Sequence, residues 1–237
     1  MLDLLTRDAR SRGVNLSEAQ IDRFERYLSL LTEWSERANL VGDVNSEIVQ
    51  QRHFIESIAL GAALRERQLL RGSEDLLDVG AGAGFPGVAM KIAWPGLRLT
   101  LIEATAKKAA FLAELASHLK LDDVIVLTGR AEELAHDPRL RERFDLVVAR
   151  AVAPLPALLE LTLPFARVGG RLATPKGSRA PAEIAASSRA LELLGGEVHS
   201  MPLNVPGPPQ TLIIVAKRRP TPAEYPRRSG IPAKSPL

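Results

Sequence analysis

The chain contains no cysteine. That absence removes a disulfide framework, a thiolate nucleophile and a cysteine metal site from consideration, and it fits a reducing cytoplasm, the expected location. No apolar run approaches the ~20 residues that a membrane span requires. The first residues, Met1-Leu2-Asp3-Leu4-Leu5-Thr6-Arg7-Asp8, carry two acids and lack a signal-peptide layout. No membrane partner is therefore expected. Histidine is scarce: His53, His118, His136 and His199 are scattered without ligand spacing, so no metal site is expected. A serine-type triad is likewise unsupported. There is no internal repeat, and compositional bias is confined to a Pro-rich, basic C-terminal stretch.

What is present suits one large domain, or a domain with an extension. The 237 residues are 46% hydrophobic, enough for a substantial core. The net charge of +3 is unevenly spread. Lys217, Arg218, Arg219, Arg227, Arg228 and Lys234 face a single acid, Glu224, so the final stretch is strongly basic and the rest slightly acidic. Such a tail suits a polyanion such as nucleic acid, or is a solvated, disordered segment; charge alone leaves both readings open.

The chain is organised around Asp75 to Gly87. Leu76, Leu77 and Val79 read as a buried parallel strand. Gly80, Gly82, Gly84 and Gly87 follow, and then Val88–Ala93 as a helix with Pro86 in its first turn. Strand, glycine turn and helix form the nucleotide-binding start of a doubly wound sheet. The fit of Gly82–Gly87 to the dinucleotide fingerprint is weak evidence alone. A ligand-free tight turn is the simpler alternative, but so many glycines oppose folding through lost backbone entropy, which argues for a ligand.

Before this centre, residues 1 to about 70 read as helical. Asn15 or Ser17 caps a helix whose Ile21, Phe24, Leu28 and Leu31 share one face and which continues to Trp34. Asn39–Asp43 is a loop, and a further helix from about Ser46 carries Arg52-His53. From periodicity alone His53 reads as a surface or packing histidine. After Gly72, strands are expected at Leu76–Val79, Leu97–Ile102, Val124–Leu127, Phe144–Ala149 and Arg171–Thr174, with helices between them. Gly169-Gly170 read as the turn into the fifth strand, and a helix is expected from about Pro181 to Leu194. Two more strands, Glu197–Leu203 and Thr211–Lys217, flank the Pro-rich loop Pro202–Pro209 without an intervening helix and should pair antiparallel. The predicted fold is α/β: a doubly wound, seven-stranded, mostly parallel sheet with a helical N-terminal extension.

Ligands of such sheets bind beyond the carboxyl ends of the strands. Those ends carry Gly80, Gly82, Gly84 and Phe85, then Glu103, then Ala131-Glu132, then Arg150. Glu103 lies 19 residues beyond Gly84, and a carboxylate there accepts ribose hydroxyls; that role is favoured over a simple acid at a helix N-terminus. For Glu132 the two readings balance. An adenosine ribose is common to NAD(P)-dependent oxidoreductases and to S-adenosylmethionine-dependent methyltransferases. The closing hairpin, the basic tail and the lack of chain for a second catalytic domain favour the methyltransferase over the alternative, an NAD(P)-binding Rossmann oxidoreductase. An RNA-binding or assembly factor on a relic cofactor fold would need a spoiled glycine loop, and this one is intact.

These residues reach a known family. Asn39-Leu40, Arg52-His53, the run Asp78 to Gly87, Glu103, Lys107 to Leu112, Arg130-Ala131-Glu132, Asp145 to Ala153, Lys176-Gly177 and Tyr225 to Gly230 resemble the bacterial small-subunit (16S) ribosomal RNA guanine-N7 methyltransferase G family, also called glucose-inhibited division protein B. The resemblance runs from about Trp34 to the end. The chain departs from the usual pattern at two places: Glu56 replaces an Asp, and Gln210-Thr211 stand where a basic residue commonly precedes the last strand.

The resemblance implies a class I, Rossmann-like methyltransferase domain at 71–217, a helical extension at 1–70 packed on the core, and a basic tail at 218–237. It implies S-adenosyl-L-methionine as cofactor, held by Gly80, Phe85, Glu103, Ala131, Glu132 and Arg150; Gly82 and Gly84 follow from their places in the turn. The substrate implied is 16S ribosomal RNA or the small ribosomal subunit, and the default oligomeric state is a monomer. Guanine N7 has an in-plane lone pair and no proton to lose, so no general base is needed and catalysis is mostly orientation. Arg150 is the catalytic candidate, able to touch cofactor and target base with its fork; its alternative is a salt bridge to Glu132 or Asp145. Arg52, His53, Lys176, Arg227 and Arg228 are candidates for RNA contact.

Overall fold

The computed structural model describes residues 2–237, apart from the side chain of Glu36; Met1, the first residue of the expected extension, lies outside the described residues. The order begins with α1 (Asp3–Ser11), α2 (Glu18–Ala38), α3 (Ser46–Val49), a π-helical stretch (Gln50–Ile55) and α4 (Glu56–Glu66). It continues with β1 (Asp75–Val79), α5 (Gly87–Ala93), β2 (Arg98–Glu103), α6 (Ala106–His118), β3 (Val124–Thr128), α7 (Ala131–Leu134) and β4 (Phe144–Val148). The last part is α8 (Leu155–Thr162), β5 (Ala166–Lys176), α9 (Ala180–Ala185), α10 (Ser188–Leu194), β6 (Gly196–Leu203), β7 (Gln210–Lys217) and α11 (Ile231–Lys234).

The seven strands lie in the order β3-β2-β1-β4-β5-β7-β6. Pairing is parallel from β3 to β5, and β7 runs antiparallel to both β5 and β6. The strand order reverses between β1 and β4, which opens a crevice at their carboxyl ends. Leu76, Leu77, Leu146, Val147 and Val148 are fully buried, as expected of central strands covered on both faces.

One face of the sheet is covered by the N-terminal helices. Ser17 caps α2 and forms a capping box with Gln20. Phe24, Tyr27 and Leu31 of α2 are buried against Phe54, Ile55 and Ile58 in the core of this face. The other face is covered by α8 and α10, with Leu158, Leu159, Ala190 and Leu194 buried.

Two expectations need correction. The fifth strand is longer than Arg171–Thr174, and Gly169-Gly170 lie inside it beside a register shift opposite Phe144 and Leu146, so they serve an irregularity in pairing rather than a turn. The helix expected over Pro181–Leu194 is two helices, because buried Ser187 turns its hydroxyl back to the Glu183 carbonyl at the break. For the basic C-terminal segment, whose state charge alone left open, the structure shows contacts with the rest of the fold. Arg141 donates to the carbonyls of Ala135, Thr221, Pro222 and Tyr225, and Arg227 reaches Glu160 on α8 at 2.6 Å. We call this docked segment the strap.

Candidate active site

Local sequence places the site. β1 ends in the glycine turn, and the amide of Gly80 closes onto the Ile102 carbonyl of β2 at 2.9 Å. Gly84 has φ +93°, and a Cβ there would lie 2.6 Å from the Tyr27 hydroxyl. Gly82 has φ +56° but meets nothing nearer than the Gly80 carbonyl at 3.8 Å, so its outer side is open to an approaching group. Glu103, at the end of β2, accepts from the Gly82 amide at 2.9 Å and from the Thr105 amide at 2.8 Å. Each carboxylate oxygen keeps a lone pair after these bonds. Asp78 accepts the Gly87 amide through Oδ2 at 2.8 Å, while its Oδ1 is buried without a partner. Burial pushes the Asp78 carboxyl up to about 7, opposed by the Gly87 amide and Arg150 and helped by Glu103.

The rings above this turn form a stack. Phe85 lies between Tyr27, with centroids 5.1 Å apart, and His53, at 4.8 Å. Tyr27 is pinned by its hydroxyl, which donates to the Ala83 carbonyl at 2.5 Å. The π-helical stretch carries Arg52 and His53, and Glu56 follows it at the start of α4; extra-residue turns of this kind are frequent at functional sites.

Arg150 follows β4 and enters this group from the far side of the crevice. Its Nη1 donates to the Arg52 carbonyl at 2.8 Å and to Glu56 Oε2 at 3.0 Å. Its Nη2 lies 2.8 Å from His53 Nδ1, and its Cζ lies 5.3 Å from the Phe85 centroid. Burial drives the His53 imidazole down to about 3, with Arg150 and Arg52 adding to the effect. The ring is therefore neutral, and since Nδ1 accepts from the guanidinium, Nε2 carries its proton. The salt-bridge partner of Arg150 is Glu56, not Glu132 or Asp145; Asp145 instead pairs with Arg167 at 2.6 Å.

The structure brings Gly80, Gly82, Gly84, Phe85, Glu103 and Arg150 to one crevice. Ala131 and Glu132 begin α7 beyond β3, and Glu132 accepts the Gly230 amide of the strap at 2.9 Å. Of the basic residues singled out from sequence, Arg52 and Arg228 are exposed and, among the described residues, make no ion pair. The other three are engaged internally. His53 is in the stack. Lys176 donates to the Ala153 carbonyl at 2.6 Å and pairs with Glu183 at 2.9 Å. Arg227 grips Glu160, which is fully buried. Arg227 and Arg228 also line a cavity of about 790 Å³ shared with Glu132, His136 and Ile231.

Sequence reasoning missed Tyr27, Asp78 and Gln210 as parts of the site. Asp78 carried the clearest signal, an acid inside an apolar strand. Among the described residues no group of three or more His, Asp or Glu could hold a metal ion, and no helix is long and apolar enough to cross a membrane.

An adenosyl ligand fits these residues: an open glycine amide turn, a strand-end carboxylate with free lone pairs, and an orphaned carboxylate oxygen beneath. The family model for rRNA small subunit methyltransferase G matches residues 20–211. Ribosomal RNA small subunit methyltransferase G of Roseiflexus sp. (strain RS-1) is 43% identical over 238 residues, covering 100% of both chains. The protein of the same name from Chloroflexus aggregans is 44% identical, covering 99% of this chain and 97% of its own. Among solved structures, cofactor-bound Rv0187 from MTB superposes with a TM-score of 0.57 at 18% identity, over 81% of this chain and 90% of that one. M. jannaschii TYW2 in complex with AdoMet gives 0.50 at 17% identity, over 68% and 77%. Both likenesses are of fold.

Proposed function

Because the chain belongs to the rRNA small subunit methyltransferase G family, we propose that it transfers a methyl group from S-adenosylmethionine to N7 of a guanine in 16S ribosomal RNA. The observation that carries this reading is the crevice between β1 and β4, with the open Gly82 turn and Glu103 on one side and the braced guanidinium of Arg150 on the other.

When bound, S-adenosylmethionine supplies a sulfonium methyl that the N7 lone pair displaces, leaving S-adenosylhomocysteine and a cationic guanine. The protein's part is to bind, orient and exclude water. Gly80, Gly82, Gly84 and Phe85 shape the turn against which the cofactor lies. Glu103 has lone pairs for ribose hydroxyls, and Ala131-Glu132 flank the far end. Arg150 stays charged and presents its fork at the strand end where the base must enter. No residue need remove a proton, and the neutral His53 is consistent with an orienting role. Arg52 and Arg228, both exposed, are the arginines we assign to phosphate contact; Lys176 and Arg227 are ion-paired to Glu183 and Glu160, which supports a structural part for them.

The test is methyl transfer from labelled S-adenosylmethionine to unmethylated small subunits and to naked 16S RNA, with N7 methylation read by borohydride and aniline strand scission. Label in one or both substrates with scission at a single guanine is expected. No transfer to either, with calorimetric binding of NAD or NADP in place of S-adenosylhomocysteine, would overturn the reading in favour of an oxidoreductase.

A further inference from the structure

Three distant parts of the chain meet at one carboxylate. Glu56 comes from the N-terminal helices, Arg150 from the end of β4 and Gln210 from the start of β7. Because β7 runs antiparallel to β5, with Lys176 opposite Thr211, its first residue stands at the carboxyl edge of the sheet where the crevice lies. There Gln210 Nε2 donates to Glu56 Oε1 at 2.7 Å. The other oxygen, Oε2, accepts from Arg150 Nη1 at 3.0 Å. The side chains of Glu56 and Arg150 are only 12% and 18% exposed, so this pair acts in a medium where geometry matters more than in water.

We propose that Gln210 is a positioning residue for methyl transfer: by holding Glu56 Oε1 it turns Oε2 toward Arg150 and so fixes the aim of the guanidinium. An unheld carboxylate could rotate and offer either oxygen, or both, to the fork. Held on one side, it offers one. Arg150 then bonds Glu56 and the Arg52 carbonyl through Nη1 and His53 through Nη2, which sets the plane of its head above Phe85. The Gln210 side chain bonds Glu56 and not Arg150, so its hydrogen bond acts on the guanidinium through that carboxylate. This rests on the methyl-transfer reading above.

The groups facing Glu56 are Arg150 from β4, Gln210 from β7 and Arg52 from the π-helical stretch; burial raises its pKa, and all three lower it. Removing the Gln210 amide must therefore move the Glu56 titration upward. Two readouts are needed: 13C-detected titration of the Glu56 carboxyl, and kcat and KM for small subunits as functions of pH. In Gln210→Met we expect the carboxyl titration and the acidic limb of kcat to move up together, with kcat at the optimum falling roughly tenfold and S-adenosylhomocysteine affinity unchanged. In Gln210→Glu, a second carboxylate beside Oε1 should move the limb further. In Glu56→Gln the limb should disappear, and adding Gln210→Met should have no further effect on it. A fall in kcat with the titration and limb unmoved would reduce Gln210 to a structural part and overturn the proposal, as would unchanged kcat in Gln210→Met. Wild-type protein that transfers no methyl group while the titration still moves would sink the methyl-transfer reading and leave the Gln210–Glu56 link standing.

Discussion

The imidazole of His53 lies against the ring of Phe85 with planes 15° apart, and its Nδ1 accepts from Arg150. A protonated ring could not accept that bond, so proton uptake and the native contact exclude each other. The folded pKa is about 3 against 6.5 for the ordinary group. Between these values the unfolded chain binds a proton that the native chain does not. The stability from this residue is therefore complete above about 6.5 and is lost as pH falls toward about 3. His53→Gln should flatten that part of the curve, measured as melting temperature against pH between neutrality and mild acid.

Asp78 has the opposite sign. Its folded pKa is raised to about 7 from 3.8, so the native state holds a proton more tightly than the unfolded one. Its contribution is fully present below 3.8 and is lost as pH rises through about 7. The melting temperature of Asp78→Asn relative to wild type should rise steadily from acid to slightly alkaline pH. An unsloped difference would show that the folded carboxyl titrates at the unfolded value of 3.8 and that burial does not raise it.

The glycine turn separates folding from binding. Gly82→Ala meets open space and should destabilise by about 1 kcal/mol through its positive φ, while weakening S-adenosylhomocysteine binding at least roughly tenfold by filling the outer face of the turn. Gly84→Ala would drive a Cβ into Tyr27 and Val88, at 2.6 and 2.9 Å, and should destabilise by about 3 kcal/mol. Chemical denaturation and calorimetry on both variants check the contrast.

Adjacent arginines of the strap should behave differently. Arg227→Ala leaves Glu160 buried without its counter-charge and should destabilise by about 3 kcal/mol. Arg228→Ala touches an exposed side chain and should change stability by less than about 0.5 kcal/mol. In RNA binding, Arg228→Ala should lower the salt slope by about 1. Denaturation midpoints and filter binding at several salt concentrations read the two effects separately.

The sheet was legible because each parallel strand is an apolar run bounded by turn residues, and the crevice was legible because its glycines and acids sit at strand ends. Expectation and structure parted where a residue's partner is far away in sequence. Glu160 reads as a lone acid on the apolar helix Leu155–Thr162, and nothing local says that Arg227 meets it. Arg227 and Lys176 read as candidates for RNA contact for the same reason, since their acidic partners Glu160 and Glu183 are distant or lie beyond a turn in sequence. The π-helical stretch was invisible because its residues suit an α-helix equally well, and the two differ only in which backbone carbonyl each amide reaches.

Glu160 and Arg227 are separated by 67 positions, and synthesis runs from the N-terminus. A nascent chain thus exposes the apolar helix with its acid long before the arginine exists. Until the strap emerges, Glu160 lacks Arg227 and must stay hydrated, so the part of α8 that carries it cannot pack as it does in the finished fold. A polypeptide cut short before Arg227 keeps the glycine turn in sequence, yet loses both the counter-charge of Glu160 and the Gly230 amide that Glu132 accepts.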